Sequence, residues 1–255
     1  MKTYIPCGRA SIAVVLMLWM IGCNNTSPPV APRPDTQPRP AAREDQPADN
    51  SGYGRDNNRR RSRRGRPEEA AAPGQFDFYL LNLSWSPEFC ATHGDSPECG
   101  RNLGFVVHGL WPQGEGNRGP ENCGPARPVA QDIVRATLDY IPTESLIQHE
   151  WATHGTCTGL TAADYFTFVR RARDMVKIPD SLRAPARELR LDPEEIEAQM
   201  AAANPNFPRG SFRVSCYRDA ELQEVRIALN KDLSPRIYGS GGGSCGPTLQ
   251  IRPVR

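Results

Sequence analysis

Four stretches of the chain have the composition of β-strands. Residues 76–85, FDFYLLNLSW, and residues 103–111, LGFVVHGLW, are rich in aromatic and apolar side chains, and a polar loop that contains cysteines separates them. Farther along the chain, residues 212–218, FRVSCYR, and residues 224–230, EVRIALN, have the same character. We expect these last two stretches to pair as neighbouring strands.

The segments between these strands predict helices. Residues 129–141 show helical spacing of apolar positions. Thr161 with Asp164 forms a capping box, and Asp192 followed by proline and two glutamates is a second strong helix start. The helix that begins after Thr161 is expected to present one face made of Tyr165, Val169, Ala172 and Val176. The order of strands, helices and then strands predicts an α+β domain.

The first 23 residues have the pattern of an export signal. Lys2 and Arg9 precede the apolar run SIAVVLMLWMIG, which is shorter than the ~20 residues of a membrane span. Cys23 follows directly, and the sequence MIGC resembles the processing site of bacterial lipoproteins. We therefore expect lipid attachment at Cys23; the alternative is an ordinary cleaved signal. Either interpretation predicts an exported protein, periplasmic or anchored to a bacterial membrane.

Composition divides the rest of the chain at about residue 75. Residues 24–74 are rich in proline and arginine and poor in large apolar side chains, so we interpret them as a disordered tether. Its run RRRSRRGR is either a contact for RNA or anionic lipid or a solvated charge cluster. Residues 75–255, the predicted single domain, contain 19 basic and 22 acidic residues. That balance excludes a generally basic nucleic-acid-binding domain and requires a local site for any RNA contact.

Six of the eight cysteines lie in the predicted domain. An even number behind an export signal predicts three disulfides, and six cysteines allow fifteen pairings. Pairing neighbours along the chain gives Cys90–Cys99, Cys123–Cys157 and Cys216–Cys245.

Three of the four histidines lie in two short tryptophan-containing stretches, FVVHGLWPQ and HEWATHGTC. Metal binding is one interpretation, but His149 and His154 are five residues apart, whereas a helical zinc motif needs a spacing of four. The other interpretation is acid–base catalysis by paired histidines, one neutral and one protonated. Cleavage of RNA through its 2′-hydroxyl suits such a pair and requires no metal.

These two stretches resemble the two active-site segments of the ribonuclease T2 family, the secreted and largely base-non-specific endoribonucleases. The stretch FDFYLLNLSWSPEFC also resembles the family's first strand and first cysteine. The resemblance implies an α+β fold with a central antiparallel sheet flanked by helices, and it implies the pairs Cys123–Cys157 and Cys216–Cys245. It further implies an endoribonuclease of low base specificity that works without a metal or cofactor, with RNA as substrate and no obligate protein partner.

The resemblance also assigns roles position by position. It implies that His154 is the general base and that His108 is the general acid. It implies that His149 and Glu150 hold the phosphate, and we expect Glu150 to favour the charged form of its histidine neighbours. It also implies that Trp111 lines a base pocket, and an indole face can stack with any base.

Thr153 departs from the family pattern, which has lysine immediately before the second histidine of the longer motif. A threonine hydroxyl can donate a hydrogen bond but carries no charge. Two alternatives follow. Either an arginine elsewhere, such as Arg101 or Arg118, supplies the charge, or the chain is a catalytically weakened member of the family that binds RNA or a partner.

Overall fold

The computed structural model describes residues 72–116, 118–238 and 245–255. The predicted signal, Cys23 and nearly all of the predicted tether lie outside these ranges. Six strands and six helices follow in chain order: β1 Phe78–Trp85, α1 Ser86–Thr92, β2 Phe105–Gln113, α2 Gln131–Thr137, α3 Glu144–Thr153, α4 Ala162–Asp174, α5 Asp180–Arg183, β3 Leu189–Leu191, α6 Pro193–Ala203, β4 Phe212–Tyr217, β5 Glu221–Asn230 and β6 Leu249–Ile251. Within the described ranges, no helix is long and apolar enough to cross a membrane.

One mixed sheet organises the domain. Its strand order is β2-β1-β5-β6-β3, and β4, which is not part of this order, also pairs with β5. All pairings are antiparallel except the short contact between β5 and β6. The predicted α+β fold, with a largely antiparallel central sheet and flanking helices, is therefore confirmed.

The two faces of β1 have different environments. Its odd-numbered residues from Tyr79 to Trp85 belong to the main hydrophobic core, which the helices complete. Among its even-numbered residues, Phe78 and Leu80 belong to a smaller apolar cluster, whereas Asn82 and Ser84 are polar. Because side chains alternate along a strand, this second face has an apolar end and a polar end.

Most predicted elements appear with shifted ends. Thr161 caps α4, where its Oγ1 accepts from the Asp164 amide at 3.2 Å. The helix expected over residues 129–141 is regular only from Gln131 to Thr137. Tyr140 and Ile141 continue the apolar pattern and are buried, but they lie in a turn, because Pro142 disfavours helical geometry in the residue before it.

Three disulfides join Cys90 to Cys99, Cys123 to Cys157, and Cys216 to Cys245. These are the pairs expected from the sequence. The second of them ties the loop after β2 to the turn that follows α3.

Candidate active site

His108 is in the middle of β2, at a β-bulge. Asn82 pairs with Gly109 and Leu83 pairs with Val107, so His108 is the extra residue on its strand. A bulge of this kind redirects a side chain, and bulges are common beside active sites. The buried imidazole of His108 lies 3.3 Å, through Nδ1, from the hydroxyl of Ser84 on β1.

Glu150 comes from α3 and covers the backbone of Gly109. A Cβ atom at position 109 would collide with the Glu150 carboxylate and with the indole nitrogen of Trp111, so the site requires glycine there. Trp111 Nε1 donates to Glu150 Oε2 at 2.9 Å, and Glu150 Oε1 lies 3.5 Å from His108 Nε2. The fully buried carboxylate of Glu150 therefore links the two sequence motifs.

His154 reaches the same place because α3 ends before it. Thr153 is the last residue of α3, and His154 leaves regular helical geometry with φ −113° and ψ −42°. Its ring stacks on Trp111 with centroids 5.0 Å apart, while His108 meets Trp111 edge-on at 5.2 Å. On a regular helix, a spacing of five residues would point His149 and His154 in different directions. Because α3 ends before His154, the His154 ring can instead reach Trp111.

The remaining predicted site residues are at the end of α3. His149 is half-buried, and its charge lowers the pKa of both His108 and His154, although burial is the larger cause in each case. Thr153 is half-buried as well, and its carbonyl accepts from the Asn122 amide at 2.8 Å. That bond and the adjacent Cys123–Cys157 disulfide hold the end of the helix in place.

Burial dominates the protonation of the site. It lowers the pKa of His108 to about 4, and it lowers the pKa of His154 to about 3. Burial also raises the pKa of Glu150 well above its usual range. This result differs from the expectation that Glu150 favours charged histidines, because a carboxyl group that is itself removed from water prefers to keep its proton.

An ion pair that the sequence motifs did not predict lies beside His108. Glu224 and Arg226 of β5 pair with Ser84 and Asn82 of β1, so all four share the polar end of the sheet face. Arg226 binds Glu224 Oε1 through Nε at 2.7 Å and through Nη2 at 2.6 Å, and its guanidinium lies 6.0 Å from the Trp111 ring. The two charged residues of the predicted strand EVRIALN were the available signal, since buried charges require a partner or a function.

The two arginines considered from the sequence have other surroundings. Arg101 donates to the Pro142 carbonyl at 2.8 Å, and Arg118 is exposed on the loop after β2. Arg226 is the arginine whose charge lowers the pKa of His108, after burial and His149. In the part of the chain that the structure describes, no cluster of three or more His, Cys, Asp or Glu side chains has the arrangement of a metal site.

Comparison with known proteins agrees with this architecture. Residues 76–239 match the model of the Ribonuclease T2 family. A ribonuclease of Aeromonas hydrophila is 34% identical over 187 residues, which cover 71% of this chain and 81% of that protein. An RNase-related protein from Calystegia sepium superimposes with a TM-score of 0.59 at 22% identity, over 71% of this chain and 98% of its own. A mutant of RNase MC1 in complex with 5′-UMP gives a TM-score of 0.56 at 24% identity, over 68% of this chain and 97% of its own. On the family match and the bacterial relative, this chain belongs to the ribonuclease T2 family and is an endoribonuclease of that family.

Proposed function

We propose that the domain cleaves RNA internally by transphosphorylation, without a metal and with little base preference. His154 takes the proton of a ribose 2′-hydroxyl, and that oxygen attacks the adjacent phosphorus. The bond from phosphorus to the 5′-oxygen of the next nucleotide breaks as His108 donates a proton to the departing oxygen. The products are a 2′,3′-cyclic phosphate and a free 5′-hydroxyl. The observation that carries this proposal is the position of the two imidazoles around one indole, at 5.2 and 5.0 Å.

The protonation of the site supports this division of roles. A pKa of about 3 keeps His154 neutral and able to accept a proton over most of the pH range. His108, with a pKa of about 4, needs acidic solution or a nearby negative charge to hold a proton. The phosphodiester of the substrate supplies that charge, since an opposite charge within hydrogen-bonding range raises the pKa of a histidine. We therefore expect a bell-shaped pH dependence with an acidic optimum. Because bound substrate raises the pKa of His108, the optimum of kcat should lie at higher pH than the optimum of kcat/KM.

Substrate binding follows from the groups around this pair. His149 and Glu150 are proposed to hold the phosphate, with Glu150 donating the proton that burial keeps on it. Trp111 is half-buried and offers part of its ring as a stacking surface for a base. The solved relative RNase MC1, in its complex with 5′-UMP, binds a nucleotide. Stacking is tolerant of base identity, which supports low base specificity.

A catalytically weakened RNA-binding or partner-binding protein is the second candidate. The observation that favours it is Thr153, where the family has a lysine. Arg226 favours the first candidate, because its side chain is one-third exposed and brings a cation close to Trp111.

The direct test is removal of each proposed proton-transfer group. We expect His108→Ala and His154→Ala each to reduce cleavage of an RNA dinucleotide at least ~100-fold, because general acid–base catalysis commonly contributes ~10²–10⁴-fold. His93→Ala is the matched control, since the half-buried His93 stacks on Phe89 after α1 and should leave the rate unchanged.

Circular dichroism should show that all three variants are folded, and a chelator should not change the wild-type rate. Near-normal turnover by a folded His108→Ala or His154→Ala variant would refute the roles. Binding of RNA by the wild type without cleavage would favour the second candidate.

We also propose that the protein is exported and anchored through lipid on Cys23. The support is the signal pattern that ends in MIGC, the polar stretch over residues 24–74 and the three disulfides of the domain, which fit an export route. Such a protein would work on RNA outside the cytoplasm.

A further inference from the structure

We infer that Glu224 is a positioning residue for His108: its carboxylate holds Nδ1 of the imidazole, so that Nε2 is directed at the reacting phosphodiester. This inference rests on the proposed role of His108 as general acid. It adds a residue from a strand that contributes nothing to the two sequence motifs.

The geometry around Nδ1 carries the inference. Ser84 Oγ lies 3.3 Å from Nδ1, and Glu224 Oε2 lies 3.9 Å from it. Ser84 and Glu224 are direct cross-strand neighbours on β1 and β5, so both side chains leave the same face of the sheet toward the bulge at His108. A small shift of either ring or carboxylate closes the longer distance to a hydrogen bond.

The two oxygens of Glu224 have different surroundings. Oε1 receives both contacts from Arg226, at 2.7 Å from Nε and 2.6 Å from Nη2. Oε2 is buried in a side chain that is only 2% exposed, and it makes no hydrogen bond with the described residues. A buried carboxylate oxygen without a hydrogen bond is costly, so its retention calls for an explanation, and a role in function is one. The group that Oε2 faces is His108.

The charges that surround His108 come from three elements. Glu224 and Arg226 face it from β5, and His149 acts on it from α3, where the proton-retaining Glu150 also contacts its Nε2. His154 lies just beyond α3. Burial is the main cause of its lowered pKa, and a charge on His108 lowers that pKa further. Of the groups that act on the pKa of His108, Glu224 is the largest that raises it, against burial, His149 and Arg226.

Arg226 holds the Glu224 side chain in place beside His108. The guanidinium contacts Oε1 through Nε at 2.7 Å and through Nη2 at 2.6 Å. A carboxylate held in this way orients an imidazole and stabilises its protonated form, as second-layer carboxylates do for catalytic histidines in other enzymes. Without it, burial and the Arg226 guanidinium would act on His108 with no opposing charge on its Nδ1 side.

The first test uses the unmodified protein. Nitrogen-15 NMR of the neutral His108 ring should show the proton on Nδ1, because the carboxylate of Glu224 can only accept. On the other side, Glu150 retains its own proton and can donate to Nε2. A proton on Nε2 of the neutral ring would overturn the inference, whatever the activity.

The second test uses kinetics with a saturating dinucleotide. Loss of one opposite charge at this distance lowers a pKa by about one unit or more. Glu224→Gln should therefore shift the alkaline limb of the kcat profile to lower pH by about one unit. At pH values above this limb, kcat should be about tenfold lower than in the wild type, and KM should change little. Glu224→Asp should recover part of the shift. Glu197→Gln is the matched control, since Glu197 also pairs with an arginine of the sheet, Arg213, at 3.5 Å, and it should leave the limb in place.

A double variant separates positioning from simple neutralisation of Arg226. Glu224→Gln with Arg226→Gln removes both charges, so the net charge near His108 is conserved. The lowered alkaline limb should persist. Return of the limb to its wild-type position would mean that Glu224 only offsets Arg226, and the inference would be wrong. If His108→Ala is inactive but Glu224→Gln leaves the alkaline limb unchanged, the inference is wrong and the proposed function stands. If His108→Ala is active, the proposed function itself is wrong.

Discussion

At the scale of single residues, Thr153 is the position where this chain departs most clearly from its family's motif. It ends α3, is half-buried and directly precedes His154. In the mechanism that we propose, a lysine there would place a cation beside the phosphate as negative charge develops in the transition state. The chain instead has Arg226, which approaches from the sheet and is partly occupied by Glu224.

We expect Thr153→Lys to accelerate the chemical step in single-turnover cleavage of a dinucleotide. A well-placed donor in such a site contributes about 2.7–4 kcal/mol, and the gain here should be smaller because Arg226 already supplies charge. The effect should appear in the chemical step rather than in binding, since the interaction strengthens as charge develops.

Thr156→Lys is the control for a general effect of added charge. Thr156 lies three residues farther along and donates to the Ala152 carbonyl at 3.0 Å. It should leave the chemical step unchanged. An equal or slower step in Thr153→Lys would show that position 153 does not lack a catalytic cation.

At the scale of elements, the site depends on how α3 ends. Three features come from its last turn and the two residues after it. Glu150 is fully buried, His154 stacks on Trp111, and a Cβ at Gly155 would collide with the Trp151 ring. The Cys123–Cys157 disulfide and the bond from Asn122 to Thr153 are the nearest restraints on that turn. Activity should therefore respond to this disulfide more than to the others.

We expect replacement of Cys123 and Cys157 by alanine to lower both the free energy of unfolding and the cleavage rate. The matched control replaces Cys216 and Cys245, which close a loop of 29 residues against 34. Loop-closure entropy predicts a similar loss from each pair, about 3.5–4 kcal/mol.

Urea unfolding should show the two similar losses, and assays of the folded fraction should show reduced kcat only without Cys123–Cys157. Equal kcat in the two double variants would mean that the disulfide does not position His154.

At the scale of the whole molecule, the predicted domain and the residues that precede it differ in net charge and in predicted lipid attachment. The predicted domain has a small net negative charge, while residues 24–74 are net positive and follow the signal-like segment that ends at Cys23. This arrangement predicts a domain held near a membrane by its amino-terminal end.

We expect wild-type protein to fractionate with membranes and Cys23→Ser to release it in soluble form. Several acyl chains on one cysteine give stable anchoring, whereas a single chain binds only marginally. Cys7→Ser is the control, since Cys7 precedes the apolar run and should not affect fractionation. Soluble wild-type protein, or equal release by both variants, would identify an ordinary cleaved signal.

The sequence by itself determined the features that depend on short stretches of chain. The strands near residues 76–85 and 103–111, the cap at Thr161 and the two histidine motifs were readable because strand composition, capping and motif spacing are local properties. Helix α3 was not predicted as an element. Its buried positions include Glu150 beside Ile147, so its hydrophobic periodicity is weak where the site needs polar groups.

Only the tertiary structure decided how the site is assembled and charged. The bulge that directs His108 depends on the register between β1 and β2, and the approach of Glu224 and Arg226 depends on the pairing of β1 with β5, more than a hundred residues later in the chain. The pKa values of His108, His154 and Glu150 follow from burial, which drives each group toward its neutral form and which no local pattern of residues specifies. Residue identity supplied the reactive groups, whereas strand register and desolvation set their direction and protonation.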